Sequence, residues 1–181
     1  MRWFNCKKEE FVSLECINSK TDKHILRLSP NGNFTPKGES KDNIRFIPIY
    51  VNNKPNVKEI KELLLSLQTE YDNSAEVNSF YLNGKRVWFD KDTRVGLFNL
   101  LNIEKASNTE TTTLWFSNTS IEIQVDKAIA LLTTVEKYAK QCYDNTQKHY
   151  VEINQLESIE DCLQYDITAG YPDILNITLT D

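Results

Sequence analysis

Asp90 and Asp92, with Arg94 two residues further on, are the tightest set of groups in this chain that could do chemistry. Two carboxylates at that spacing would suit an acid/base pair or a clamp for a hard cation. A helix N-terminus selects the same residue types, because a carboxylate there accepts from the open N–H groups and meets the positive end of the dipole. A hairpin pattern gives way to a helical one at this point, so we read both aspartates as capping residues. His149 and Cys142 offer a second possibility, a thiol with an imidazole base. Seven residues along a helix separate them by roughly 10 Å, too far for a hydrogen bond, so His149 is expected as a core or interface histidine. None of Cys6, Cys16, Cys142 and Cys162 forms a C-x-x-C pair, and His24 and His149 stand at no ligand-like spacing. A closed zinc site takes about four organised N/S donors. The expectation is therefore four free thiols, no metal, no cofactor and no catalytic residue.

Composition narrows the classes further. The 181 residues are 40% hydrophobic and 26% charged, enough for a packed core, and the net charge is −5. An acidic balance argues against nucleic acid, whose binding rests on Lys and Arg neutralising phosphates. Met1-Arg2-Trp3-Phe4-Asn5 runs straight into Lys7, Lys8, Glu9 and Glu10 without the apolar run of about 7–15 residues that a secretory leader needs. No stretch approaches the roughly 20 apolar residues of a membrane span. A chain made in a cytoplasm and not bound to membrane is expected, and Asn118-Thr119-Ser120 and Asn176-Ile177-Thr178 are then chance matches to the glycosylation pattern.

The elements that must position these groups are legible as periodicities. Phe11–Ile17 and His24–Leu28 alternate as strands do, Ser29–Ser40 carries Pro30, Asn31-Gly32, Pro36 and Gly38 and reads as a long loop, and Ile44–Val51 is a third strand. Pro48 places that strand at an edge or a bulge. Asn52–Asn56 reads as a linker, followed by a helix over Val57–Thr69 with Asn56 as its N-cap and Ile60, Leu63, Leu64 and Leu67 on one face. Val77–Leu82 and Lys85–Phe89 flank Asn83-Gly84, the dipeptide suited to a type I′ turn. A helix follows from Thr93 to about Lys105. A second hairpin, Thr112–Phe116 and Thr119–Ile123, turns at Ser117-Asn118 with Trp115, Ile121 and Ile123 expected inside. Trp88 and Tyr138 are expected in the core as well.

From Val125 to Leu156 apolar residues recur every three or four positions without Pro or Gly, which predicts one amphipathic helix about 45 Å long, capped by Asp126. A helix of that length outruns the core of a small domain. Its apolar face, Leu132, Val135, Tyr138, Ala139, Cys142 and Tyr150, is therefore expected to meet a partner or a second copy, a homodimer first. Ser158 is expected to cap a short helix over Ile159–Gln164, and Thr168–Pro172 to end helical structure before an extended tail. The fold class is α+β: antiparallel β-hairpins packed on helices, one long amphipathic helix, and a small N-terminal β segment. The expected division is 1–52, a β-rich attachment segment, and 53–181, an α+β domain.

Val87-Trp88-Phe89-Asp90-Lys91-Asp92-Thr93-Arg94-Val95-Gly96-Leu97, then Thr113-Leu114-Trp115-Phe116, Val125-Asp126-Lys127-Ala128 and Thr168-Ala169-Gly170-Tyr171-Pro172 carry a family resemblance. The stretch from about Asn83 to Asn176, roughly half the chain, resembles an uncharacterised domain family encoded in bacteriophage and prophage genomes, often beside tail- or fibre-related genes. That family has no established catalytic residues to transfer. The resemblance implies a minor structural protein of the virion, head- or tail-fibre associated, held by protein–protein contact to other phage structural proteins and present in the host cytoplasm before assembly. A fibre-assembly chaperone left out of the particle is the alternative, and a small hydrolase a more remote one.

Overall fold

The computed structural model describes residues 4–10, 12–28, 43–87, 89–116 and 119–179. Phe11, the expected loop at Ser29–Ser40, Trp88 and the turn at Ser117-Asn118 lie outside the described residues. The fold is α+β. In chain order the elements are β1 (Phe4–Lys7), a 3-10 turn (Lys8–Glu10), β2 (Leu14–Asn18), β3 (Lys23–Leu28), β4 (Asn43–Asn52), α1 (Val57–Asp72), α2 (Ala75–Asn78), β5 (Phe80–Leu82), β6 (Lys85–Val87), α3 (Lys91–Ala106), β7 (Thr111–Phe116), β8 (Thr119–Gln124), α4 (Val125–Gln155), α5 (Ile159–Gln164) and β9 (Asn176–Ile177). Among the described residues, no helix is long and apolar enough to cross a membrane.

Two compact units divide the chain, and not at residue 52 as expected. The first comprises Met1–Tyr71 with Thr146–Gly170, the second Asp72–Asn145 with Tyr171–Asp181. The reason lies in the first unit's sheet. Its strands run antiparallel in the order β1-β4-β3-β2, and the register puts Leu14, Leu26 and Ile49 abreast, with Leu28 beside Ile47 and Val51 beside His24. Side chains of paired residues share a face, so this is one apolar surface, and it needs a cover. Ile60 and Leu64 of α1, Ile153 of α4, and Cys162, Leu163 and Ile167 from α5 onward supply it, all buried together with Leu26 and Leu28. A β segment ending at residue 52 would leave that face in water.

Local signals hold well here. Asn56 Oδ1 accepts from Glu59 N at 3.0 Å while Glu59 Oε2 accepts from Asn56 N at 2.8 Å, a reciprocal capping box that starts α1. Ser158 Oγ accepts from Asp161 N at 3.0 Å and starts α5. Pro48 is accommodated more subtly than an edge strand would require. β4 lies between β1 and β3, yet Arg27 N donates to Ser13 O at 2.7 Å, so the Arg27–Pro48 pair exchanges no ladder bonds. The ring nitrogen of Pro48 thus faces away from β3, beyond Phe46, the last β4 residue paired with a described residue of β1. β1 itself had no clear sequence signal.

In the second unit Asn83 (φ 49°) and Gly84 (φ 75°) make the expected turn between β5 and β6. Val77 begins no strand; it is buried in the one-turn helix α2. The tail is not merely extended: β9 pairs in parallel with β5, Tyr81 N donating to Leu175 O at 2.8 Å and Asn83 N to Ile177 O at 2.9 Å. Asp126 does not cap α4. The helix already begins at Val125, and Asp126 sits in its first turn with an oxygen 2.9 Å from Lys105 Nζ. Trp115 is 68% exposed rather than internal, because strand alternation sends Leu114 and Phe116 inward and Trp115 to the other face. Phe89 packs against Phe80 and Phe116, ring centres 5.8 and 5.2 Å apart.

Leu64→Ala or Ile153→Ala is expected to cost about 2–5 kcal/mol in denaturant unfolding, since each leaves a void in a filled core. Trp115→Ser should stay within about 0.5 kcal/mol of the unaltered chain.

Candidate functional site

Helix α3 begins where Asp90 ends the extended chain. Asp90 Oδ1 accepts from Thr93 N at 2.7 Å and Oδ2 from Thr93 Oγ1 at 3.0 Å. These bonds hold the Asp90 carboxyl below the usual carboxylate range, as a cap requires. Asp90 and Asp92 are thus occupied by the helix terminus, Asp90 as its N-cap and Asp92 in its first turn. Arg94, one turn in, donates from Nε to Glu136 Oε1 at 2.7 Å and from a guanidinium nitrogen to Phe89 O at 2.7 Å. It ties α3 to α4 and to the end of the β6 segment.

Beside this tie the two helices leave a groove of about 570 Å³, lined by Arg94, Val95, Phe98, Thr133, Glu136, Lys137, Lys140 and neighbouring amides. Its walls are mostly carbon: Val95, Phe98 and the aliphatic stems of the long cationic side chains. Val95 is 48% exposed, and Ile103, two helical steps of four further along, is 64% exposed. The charges at the rim are Arg94, Lys137 and Lys140 against Glu136. Arg94 is paired with Glu136, and Lys140 lies 2.5 Å from Asp144 outside the groove. A groove with an apolar floor and this rim can hold an apolar segment and draw in a carboxylate. Among the described residues, no histidine or cysteine lines it.

The expected partner seam on α4 is placed differently from expectation. Leu132, Val135, Tyr138 and Cys142 are buried in the second unit, Leu132 being 1% exposed. Tyr138 Oη and Cys142 Sγ both reach Val77 O, at 3.3 and 3.4 Å. Ala139 is half-buried on the flank. Tyr150 belongs to the first unit, half-buried, its hydroxyl 2.9 Å from Thr69 Oγ1. These residues do not form one free stripe. The helix face is spent on the chain's own cores, Val125–Asn145 in one unit and Thr146–Gln155 in the other. Burial also pushes the Cys142 and Cys162 thiols up.

His149 is buried, as expected, and both ring nitrogens are engaged: Nδ1 lies 2.6 Å from Tyr165 Oη and Nε2 2.9 Å from Ala169 O. Tyr165 in turn donates to Glu152 Oε2 at 2.7 Å. That bond, reinforced by Lys148, outweighs burial and holds the Glu152 carboxyl below its ordinary value. A cavity of about 360 Å³ opens beside these groups, with Asp161 and Asp166 on its wall. Here Asp161 accepts from Ser158 Oγ at 2.6 Å, and Asp166 accepts from Thr168 N and Oγ1 at 2.8 and 2.6 Å. The polar groups of this wall satisfy one another and fix α5 and the following turn.

One grouping escaped the sequence reading. The β2–β3 hairpin brings Cys16, Asp22 and His24 together, one donor atom of each within 4.8 Å of the other two. The signal was present as C-x5-D-x-H, but it is not a spacing that identifies a metal site without the hairpin. All four cysteines are free thiols in the structure. No protein-family model, curated protein or solved structure matches the chain.

Tyr165→Phe should raise the pKa of Glu152, read by side-chain carboxyl NMR titration. Because the folded pKa is depressed, the associated stability is present above the ordinary glutamate value and lost as pH falls through the folded one. The variant should lose most of that pH-dependent part. Leu132→Ala should lower stability by about 2–5 kcal/mol with no change in hydrodynamic size. A shift in size at native conditions would restore the seam as an interface.

Proposed function

We propose that this chain is a non-catalytic attachment protein whose α3–α4 groove receives a segment of another structural protein. The observation that carries the reading is the combination, in one groove, of an apolar floor with the Lys137 ammonium at the rim, the Arg94 and Lys140 charges there being paired with Glu136 and Asp144, on a chain of net charge −5. The matching partner segment has apolar side chains on one face and carboxylates flanking them, as an acidic amphipathic helix does. Ile103, exposed along α3 eight residues after Val95, extends the apolar strip beyond the groove itself. Large exposed apolar side chains in line are a recurrent mark of protein contact surfaces.

The phage-family resemblance supplies the setting: a minor structural component of a virion, head- or tail-fibre associated. Consistent with a role without catalysis, the groups beside α5 hold local structure: His149 and Glu152 both meet Tyr165, Asp161 meets Ser158 and Asp166 meets Thr168. A self-association through Leu132, Val135, Tyr138 and Cys142 is not part of the proposal, because those side chains lie in the core.

Mass spectrometry of purified particles tests the setting, and low-copy stoichiometric presence is the expected result. Abundance in infected cells with absence from particles would turn the reading to an assembly chaperone. The groove is tested by Val95→Asp and Lys137→Glu, both at exposed positions. Each is expected to leave unfolding within about 1 kcal/mol and to weaken incorporation or partner binding by about 30-fold, the loss of about 2 kcal/mol typical of a hot spot. Unchanged incorporation in both would exclude the groove as the attachment surface.

A further inference from the structure

We propose that Cys16, Asp22 and His24 form a site for a borderline-soft divalent cation of the zinc class at the turn end of the β2–β3 hairpin. The proposal is independent of the groove. Cys16 and His24 are cross-strand partners in register, so their side chains stand side by side on one face. Asp22 closes the turn at φ 47°, and its carboxylate Oδ1 lies 3.6 Å from His24 Nδ1. The sulfur, a carboxylate oxygen and an imidazole nitrogen thus sit within 4.8 Å of one another. At zinc bond lengths of about 2.0–2.3 Å the edges of a coordination tetrahedron are about 3.4 Å, so the trio must contract by roughly an ångström. Cys16 and Asp22 are exposed and free to rotate toward the buried His24.

The framework is already fixed. Asn18 Oδ1 accepts from Lys20 N and Thr21 N at 3.0 and 3.3 Å, Asn53 N donates to Asp22 O at 2.7 Å, and His24 Nδ1 lies 3.1 Å from the same carbonyl. Nδ1, the nitrogen 3.6 Å from the Asp22 carboxylate, faces the site, so it enters as the ligand in its unprotonated form and exchanges its contact with the Asp22 carbonyl for the metal. A thiolate and an imidazole select zinc or cobalt over magnesium or calcium. Cys16 enters as the thiolate, its proton leaving to solvent. Three protein donors leave a fourth position for water or for a donor from a bound partner.

The test uses the untagged, reduced, chelator-treated full chain titrated with Co²⁺ and then with competing Zn²⁺. One equivalent of cobalt is expected to produce a thiolate-to-cobalt charge-transfer band that zinc abolishes. Cys16→Ser should remove the band, and Asp22→Asn, which keeps a residue tolerant of positive φ, should weaken binding by on the order of 10-fold or more. Both substitutions are at exposed positions, and circular dichroism checks that the fold is kept. No band, a band that persists in Cys16→Ser, or unweakened binding in Asp22→Asn would each overturn the site.

Discussion

The long buried face of α4 sets the terms for both cores. The sheets of both units present an apolar face that a helix must cover. The second contributes a two-stranded ladder and a three-stranded one with strands of two or three residues, and hairpins of that size are marginal in water without a helix to cover them. Ala128, Leu131, Leu132 and Val135 provide that cover together with Leu101 of α3. In the first unit, Ile153 does the same service for the face presented by Leu26 and Leu28. A single helix thereby answers for two cores. Its length reflects that double duty, and a second copy of the chain is not needed to explain it.

Between the two stretches the buried face of α4 turns polar, with Thr146 and His149 both buried. Buried polar groups are tolerated where they are bonded. His149 meets this condition through Tyr165 and Ala169, and the same bonds reach Glu152 and hold α5 in place. A histidine, a tyrosine and a carboxylate in contact look like the parts of a catalytic relay. Each of these groups has a partner within the chain: His149 lies against Tyr165 Oη and Ala169 O, and Tyr165 donates to Glu152.

With the helix face consumed internally, surface chemistry falls to what the cores leave over. α3 is buried mainly along the side carrying Leu101, so Val95, Leu100 and Ile103 remain outside. Arg94 joins the two helices at one end of the groove through a short charge-assisted bond to Glu136, stronger than a neutral one, and reaches back to Phe89 O with a second. The hairpin of the first unit offers a different surface, where register alone sets a thiol beside an imidazole.

The local units were legible from residue types and spacing alone. Periodicity marked α1, α3 and the whole of α4. Asn56, Asp90 and Ser158 marked helix starts, and Asn83-Gly84 marked the turn that positive φ requires. These features are set by interactions within a few residues, and adjacent side chains suffice to read them. Tertiary structure decided what the periodic faces meet. An apolar stripe specifies burial but not its partner, so Leu132 and Tyr138 could be read as an interface when they belong to the chain's own core. Alternation along β7 defines two faces but not which one faces inward; the packing of Leu114 and Phe116 turns that face in and leaves Trp115 out. The parallel pairing of β9 with β5, the return of Thr146–Gly170 to the first unit, and the meeting of Cys16 with His24 all depend on contacts between residues distant in sequence or on strand register. Those are won by the free energy of covering particular surfaces, which no single segment contains.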